Sequence, residues 1–320
     1  MLNLLFVLLG VGLLATGGEF LMRGALGAAR RLGISPLLSG LVIVGFGTSA
    51  PELVVTVDAA LTGRPDIAIG NVVGSNIGNV LLILGLCTVI TPLAVRPLVL
   101  RRDAITVVLA GVLFLFLVGG SALARPDAAV LLLALLVYLV WAYWTERSGL
   151  APAAQLHQAE ADELTALPGK ALWIVAAIGL GLCLLIVGSR VLLLGAVGLA
   201  EAFGVPEAVI GLTLVAVGTS LPELSISIIA ALRRHADVAI GNILGSNIFN
   251  LLGILGISAL LQPLPVPARI LQFDQWVMVG ASLVLLLFLY TGRRLSRLEG
   301  GLLLLGYGAY LGLSFTVFGG

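Results

Sequence analysis

Residues 45–85 and 216–256 of this chain align without a gap at an offset of 171, with 23 of 41 positions identical. The first copy reads GFGTSAPELVVTVDAALTGRPDIAIGNVVGSNIGNVLLILG and the second AVGTSLPELSISIIAALRRHADVAIGNILGSNIFNLLGILG. Self-similarity on this scale is the mark of a body built from repeated supersecondary units. Whatever fold forms has to give two near-copies of one polar motif equivalent surroundings.

Those surroundings are apolar. Of 320 residues, 60% are hydrophobic and 10% charged, and the mean hydropathy is +1.17. Soluble domains carry roughly a quarter charged residues, so the chain reads as an integral membrane protein. A net charge of +1 supplies no bulk field for nucleic acid or an acidic partner. Cys87 and Cys183 are lone thiols in apolar runs and read as small buried hydrophobes. The N-terminal stretch MLNLLFVLLGVGLLATGGEF lacks a basic leader region and is expected to stay as a first helix.

A bilayer core of about 30 Å asks for about 20 apolar residues per helix. Ten segments qualify, at 3–27, 34–61, 67–91, 103–121, 127–145, 170–198, 205–232, 237–261, 274–291 and 298–318. Against these spans, thirteen basic residues fall on one side: Arg23, Arg30, Arg31, Arg96, Arg101, Arg102, Arg147, Lys170, Arg233, Arg234, Arg293, Arg294 and Arg297. Arg64, Arg125 and Arg269 fall on the other, and Arg190 within the sixth span. By the positive-inside rule the thirteen mark the cytosol, which puts both termini outside the cytoplasmic membrane.

The repeat then divides the chain into residues 1–145, a short cytosolic linker at 146–169 and residues 170–320. Five helices per half is an odd number, so the second half enters the membrane inverted. The expected fold is an all-α polytopic membrane protein of ten helices in two inverted repeats, with helices 2 and 7 broken. That plan is typical of secondary transporters with a midplane site.

Each copy carries Gly-Thr-Ser-x-Pro-Glu inside a span: Gly47, Thr48, Ser49, Pro51 and Glu52, then Gly218, Thr219, Ser220, Pro222 and Glu223. Proline frees carbonyls about one turn upstream, near Gly45 and Ala216. Freed backbone at membrane depth is tolerated only inside protein or beside a watery cavity. Gly-Asn-x-x-Gly-Ser-Asn-x-x-Asn follows, with Ser75 and Asn79, and Ser246 and Asn250, each pair four apart on one helical face. Gly74, Gly245, Asn76 and Asn247 read as helix-packing glue. The glutamates do not, because intramembrane carboxylates are costly and mark ion or proton pathways.

Every candidate ligand is an oxygen: the carboxylates of Glu52 and Glu223, the hydroxyls of Thr48, Ser49, Thr219, Ser220, Ser75 and Ser246, the amides of Asn79 and Asn250, and the loosened carbonyls. Hard cations such as Ca2+ and Na+ take such sets, whereas Zn2+ or Cu2+ would want His or Cys. The two histidines, His157 and His235, lie in a loop and at a helix end. Two facing carboxylates repel unless a divalent ion, several monovalent ions or a proton sits between them. A site that always holds one of these is suited to exchange.

At these residues the sequence resembles the cation/calcium exchanger family, and is most similar to its prokaryotic sodium/calcium exchangers. The resemblance implies four ion sites in a diamond, with Glu52 and Glu223 at a central calcium and shared with the sodium sites. It puts Thr48 and Thr219 at calcium, partly through their carbonyls. Ser49, Ser220, Ser75 and Ser246, with the carbonyls of Gly45 and Ala216, would complete the flanking sodium sites, and Asn79 and Asn250 the middle one. Helices 1 and 6 would slide across the other eight to alternate access.

Some members carry Asp where Asn250 stands, so no third titratable group is expected here. Asp58, opposite Ile229 in the second copy, reads either as a cation attractor or as a solvated helix-end charge. Arg190 aligns with Glu19, as a gate or as a pair of snorkelling side chains, and Asp66 and Asp237 read as helix N-caps. The acidic cluster Glu160, Asp162 and Glu163 reads as solvated, in a linker too short for a calcium-sensing domain.

The leading expectation is an antiporter, not an enzyme, that exchanges Ca2+ for Na+ with no cofactor, no nucleic acid and no protein partner. A proton/calcium exchanger is the alternative, with H+ as counter-ion. A gated cation channel is a third reading, and an intramembrane hydrolase has no supporting motif.

Overall fold

The computed structural model describes residues 2–32, 36–95, 97, 99–120, 122–162, 171–202 and 218–318. They form helices joined by short turns: α1 Leu2–Leu32, α2 36–48, α3 Ala50–Leu61, α4 Pro65–Ile90, α5 99–117, α6 Arg125–Asp162, α7 Ala171–Ala202, α8 Leu221–Leu232, α9 Ala236–Leu261, α10 Ile270–Gly292 and α11 Arg297–Phe318. Among the described residues six helices are long and apolar enough to cross a membrane, or seven when α2 and α3 count as one bent span. The chain is a multi-pass membrane protein.

The most buried helices are α4 and α9, which carry the Gly-Asn-x-x-Gly-Ser-Asn-x-x-Asn motifs, while α1, α6 and α7 are largely exposed along their length. Leu, Trp and Val side chains cover that exposed surface, as a lipid-facing surface requires. Cys87 on α4 is buried as expected; Cys183 is exposed, because α7 turns one face outward. Residues 146–162, read from sequence as a linker, continue α6 as helix, in keeping with their content of Ala, Leu, Gln and Glu.

Two close approaches fix the frame. Helix α1 lies lengthwise against α7, with Gly17 and Gly181 at the crossing. A Cβ on Gly17 would stand 2.9 Å from the Gly181 carbonyl oxygen and the Leu185 amide. At the second approach α2 lies on α9, where a Cβ on Gly245 would meet the Leu41 carbonyl group, 2.8 Å from its carbon. Backbone cannot yield there as a side-chain tip does. Gly245→Ala is therefore expected to destabilise the protein by about 1–3 kcal/mol, the cost of overpacking a tight interior. A lowered thermal unfolding midpoint in detergent checks it, and an unchanged midpoint would show that α2 shifts freely.

Contacts recur at the offset of the sequence repeat. Strand β1 (Leu93–Ala94) pairs antiparallel with β4 (Arg294–Leu295), and the corresponding loops pair as β2 (Ala122–Leu123) with β3 (Leu264–Pro265). Wide π-helical turns open at Asn79 in α4 and at Phe249 in α9, and again at the starts of α5 and α10. Such turns often accompany functional sites.

Asp66 and Asp237 are not N-caps. Arg64 and His235 occupy the cap positions, without side-chain caps, and the aspartates lie in the first turn. There a carboxylate still complements the helix dipole.

Candidate ion site

Ser49 and Ser220 stand one residue before α3 and α8, and both leave helical geometry in the same way, with φ/ψ of −78/8° and −89/9°. The break bends α2 against α3 by 47°. Pro51 and Pro222 fall in the first turn, where a missing N–H costs nothing. Ser-x-Pro-Glu also has the spacing of a capping box, in which serine and glutamate would satisfy their own helix end. Neither serine makes that side-chain cap.

The side chains reach across to the other half instead. Ser49 Oγ donates to Glu223 Oε1 at 3.0 Å, and Ser220 Oγ donates to Glu52 Oε1 at 3.1 Å. Ser220 Oγ also lies 3.3 Å from Ser75 Oγ. Glu52 and Glu223 are almost wholly buried, at 0% and 1% exposure. Each sits in the first turn of its helix, where the positive end of the dipole favours a carboxylate.

Asparagines brace this pair from both sides. Asn71 Nδ2 donates to Thr56 Oγ1 at 3.0 Å and to the Glu52 carbonyl at 3.4 Å. Its counterpart Asn242 donates to Ser227 Oγ at 2.7 Å and to the Glu223 carbonyl at 3.1 Å. Thr48 Oγ1 lies 3.1 Å from Asn242 Oδ1, and Thr219 Oγ1 lies 3.4 Å from Asn71 Oδ1. Ser246 Oγ donates to the Gly45 carbonyl at 3.0 Å. That carbonyl is also approached by the Ser49 amide at 3.3 Å.

Asn79 opens the π-helical turn of α4, and Asn250 is the second residue of the turn in α9. The turn at Asn79 packs on the helix of Glu223, and the turn at Asn250 on the helix of Glu52. Of the twelve residues expected at the site, eleven are thus placed by cross-half or adjoining contacts, with Thr219 only partly buried. Ala216 lies outside the described residues.

Four buried oxygens here accept no hydrogen bond: Glu52 Oε2, Glu223 Oε2, Asn79 Oδ1 and Asn250 Oδ1. Leaving such an acceptor unpaired costs about 1–3 kcal/mol, and more for a charged group. Among the described residues no three His, Cys, Asp or Glu side chains gather, and the two carboxylates lie among neutral hydroxyl, amide and carbonyl oxygens. That chemistry suits a hard cation.

Two further clusters lie outside the repeated motifs. Buried Arg102 donates to Asp103 at 2.6 Å and 3.1 Å, and Tyr138 donates to the same carboxylate at 2.8 Å. In the other half Arg269 donates to Asp274 at 2.9 Å, and Tyr310 at 3.0 Å. Asp103 and Asp274 are separated by the repeat offset, which would have found them. Glu19 does not face Arg190. It pairs with Arg23 at 2.7 Å and with Arg233, which caps the C-terminal end of α8, at 3.2 Å, beside a cavity of about 570 Å³. Asp58 is exposed on α3.

These features define a multi-pass membrane protein with a buried, all-oxygen site shared between two repeated segments. The chain matches the model of the sodium/calcium exchanger protein family over residues 2–144 and 173–316, and it belongs to that family. It is 40% identical over 322 residues to CaxA of Alkalimonas amylolytica, covering 98% of each chain. It is 32% identical over 349 residues to the sodium/calcium exchanger MaX1 of Methanosarcina acetivorans, covering 98% of this chain and 99% of that one. Its fold matches a structure of the sodium-calcium exchanger NCX_Mj soaked with Na+ and Ca2+, with a TM-score of 0.82 and 30% identity over 98% of each chain. Family and fold together support exchange of Ca2+ against another cation.

Proposed function

We propose that this protein is a secondary antiporter of the cytoplasmic membrane that expels Ca2+ in exchange for Na+ entering down its gradient. The observation that carries the reading is the set of four buried, undonated oxygens on Glu52, Glu223, Asn79 and Asn250. Ca2+ takes about six to eight oxygens, and neutral hydroxyls and carbonyls are at hand to complete that number. Ca2+ or a group of Na+ ions would offset both the mutual repulsion of the carboxylates and the cost of leaving those oxygens unpaired.

In this reading Glu52 and Glu223, with Thr48 and Thr219, hold calcium, and also serve the sodium sites. Ser49, Ser220, Ser75 and Ser246, with the carbonyls of Gly45 and Ala216, form flanking sodium positions, and Asn79 and Asn250 the middle one. The chain crosses the membrane ten times as two inverted five-helix halves with both termini outside. Support comes from the offset of 171 shared by the cross-half hydrogen bonds. The close α1–α7 pair moves as one body past the rest to alternate access. The pairing of Glu19 on α1 with Arg233 at the C-terminal cap of α8 ties that body to the remainder in the conformation described.

Reconstituted in liposomes, the protein is expected to take up Ca2+ when an outward Na+ gradient is imposed, and not without one. An outward proton gradient forms the second arm. Uptake driven by protons and indifferent to sodium would replace this reading with proton/calcium exchange, and uptake with no counter-ion gradient would make the protein a channel.

A further inference from the structure

We propose that Asn76 and Asn247 are positioning residues for ion binding: each, from the opposite half, holds the amide of Asn250 or Asn79 with its oxygen toward the ion site. The inference rests on the reading that Asn79 and Asn250 belong to that site. An asparagine amide is an acceptor at one end and a double donor at the other. For a cation only the oxygen end serves, so something has to choose which end faces the site.

The four amides choose for one another. Asn79 Nδ2 donates to Asn247 Oδ1 at 2.9 Å, and Asn250 Nδ2 donates to Asn76 Oδ1 at 3.4 Å. Asn247 is itself fixed, because its Nδ2 donates to the Asn76 carbonyl at 3.3 Å. Asn76 Nδ2 is directed at the Met278 sulfur, 3.9 Å away. The Nδ2 groups of Asn79 and Asn250 are taken up by acceptors of the opposite half, and the oxygens of the same two amides are left buried and undonated. Turning the Asn79 amide over would set its oxygen against Asn247 Oδ1, losing one buried hydrogen bond and creating an unpaired acceptor pair. Packing alone would be served as well by leucine, which fills a similar volume without choosing an orientation.

The effect is to be read as binding by the purified full-length protein, with radiolabelled Ca2+ at equilibrium and Na+ titrated as competitor, alongside thermal unfolding. Asn247→Leu is expected to weaken Na+ competition by ~10-fold, a buried hydrogen bond of about 1.4 kcal/mol. Asn79→Ala weakens it as well, and the double variant matches Asn79→Ala alone, because Asn247 acts only through Asn79. Asn76→Leu with Asn250→Ala forms the matching cycle in the other half. Where a leucine variant does not fold, alanine at the same position enters the cycle.

Effects that multiply in the double variants, or an Asn247→Leu protein that binds like wild type while Asn79→Ala does not, overturn the positioning role and return these residues to packing. Failure of the wild-type protein to bind Ca2+ competitively with Na+ overturns the proposed function instead, so the two failures are separate.

Discussion

Glu52→Gln and Glu223→Gln are each expected to reduce Ca2+ flux by at least about 100-fold, since two charge-assisted contacts at about 1.5–3 kcal/mol each would be lost. Glutamine keeps the size of the side chain and can still accept the hydroxyl of Ser220 or Ser49. The fold should therefore survive while the negative charge at the site is halved. Flux in liposomes and thermal unfolding in detergent, measured on the same preparations, separate the two effects. Near-normal flux in either variant would return that glutamate to a structural role.

Asp103→Ala is expected to have the largest effect on stability, about 3–5 kcal/mol, the usual result of removing one partner of a buried ion pair. Arg102 and Asp103 are 1% and 0% exposed, and Tyr138 of α6 closes on the same carboxylate of α5. The matching change at Asp274 should cost less, because Arg269 is about a third exposed and water can answer its charge. The difference between the two unfolding midpoints measures how far burial, rather than geometry, sets the strength of these clusters.

Much of the helical layout could be read from the chain because its signals are local or repeated along the sequence. Apolar run length marked the helices among the described residues, proline position marked the bend at Ser49 and the non-helical geometry of Ser220, and the repeat joined Glu52 to Glu223 across 171 residues. What was not legible depends on which side chain faces which. Asn76 and Asn247 looked like packing residues because an amide's orientation is decided by a partner in the other half, about 170 positions away. Glu19 was matched with Arg190 by alignment, yet its neighbours are Arg23, one turn on, and Arg233, brought there by α8. Asp66 and Asp237 were read as caps because an acidic residue before a helix suits either the cap or the first turn, and only the backbone distinguishes them.

The crossed bonds of Ser49 to Glu223 and Ser220 to Glu52 have a consequence for ancestry. Neither half contains a finished site, since each supplies the carboxylate that the other's hydroxyl holds. In the inverted arrangement proposed above, a gene of half this length would have made the same site only by inserting two copies of its product, one each way up. Fusion of such copies removes the need for that dual insertion and frees the halves to diverge, as Phe249 has done where Gly78 stands in the first copy. Its ring stacks on Phe46 at 4.4 Å, a contact with no twin at Gly78, so the two faces of the transporter need no longer be energetically equal.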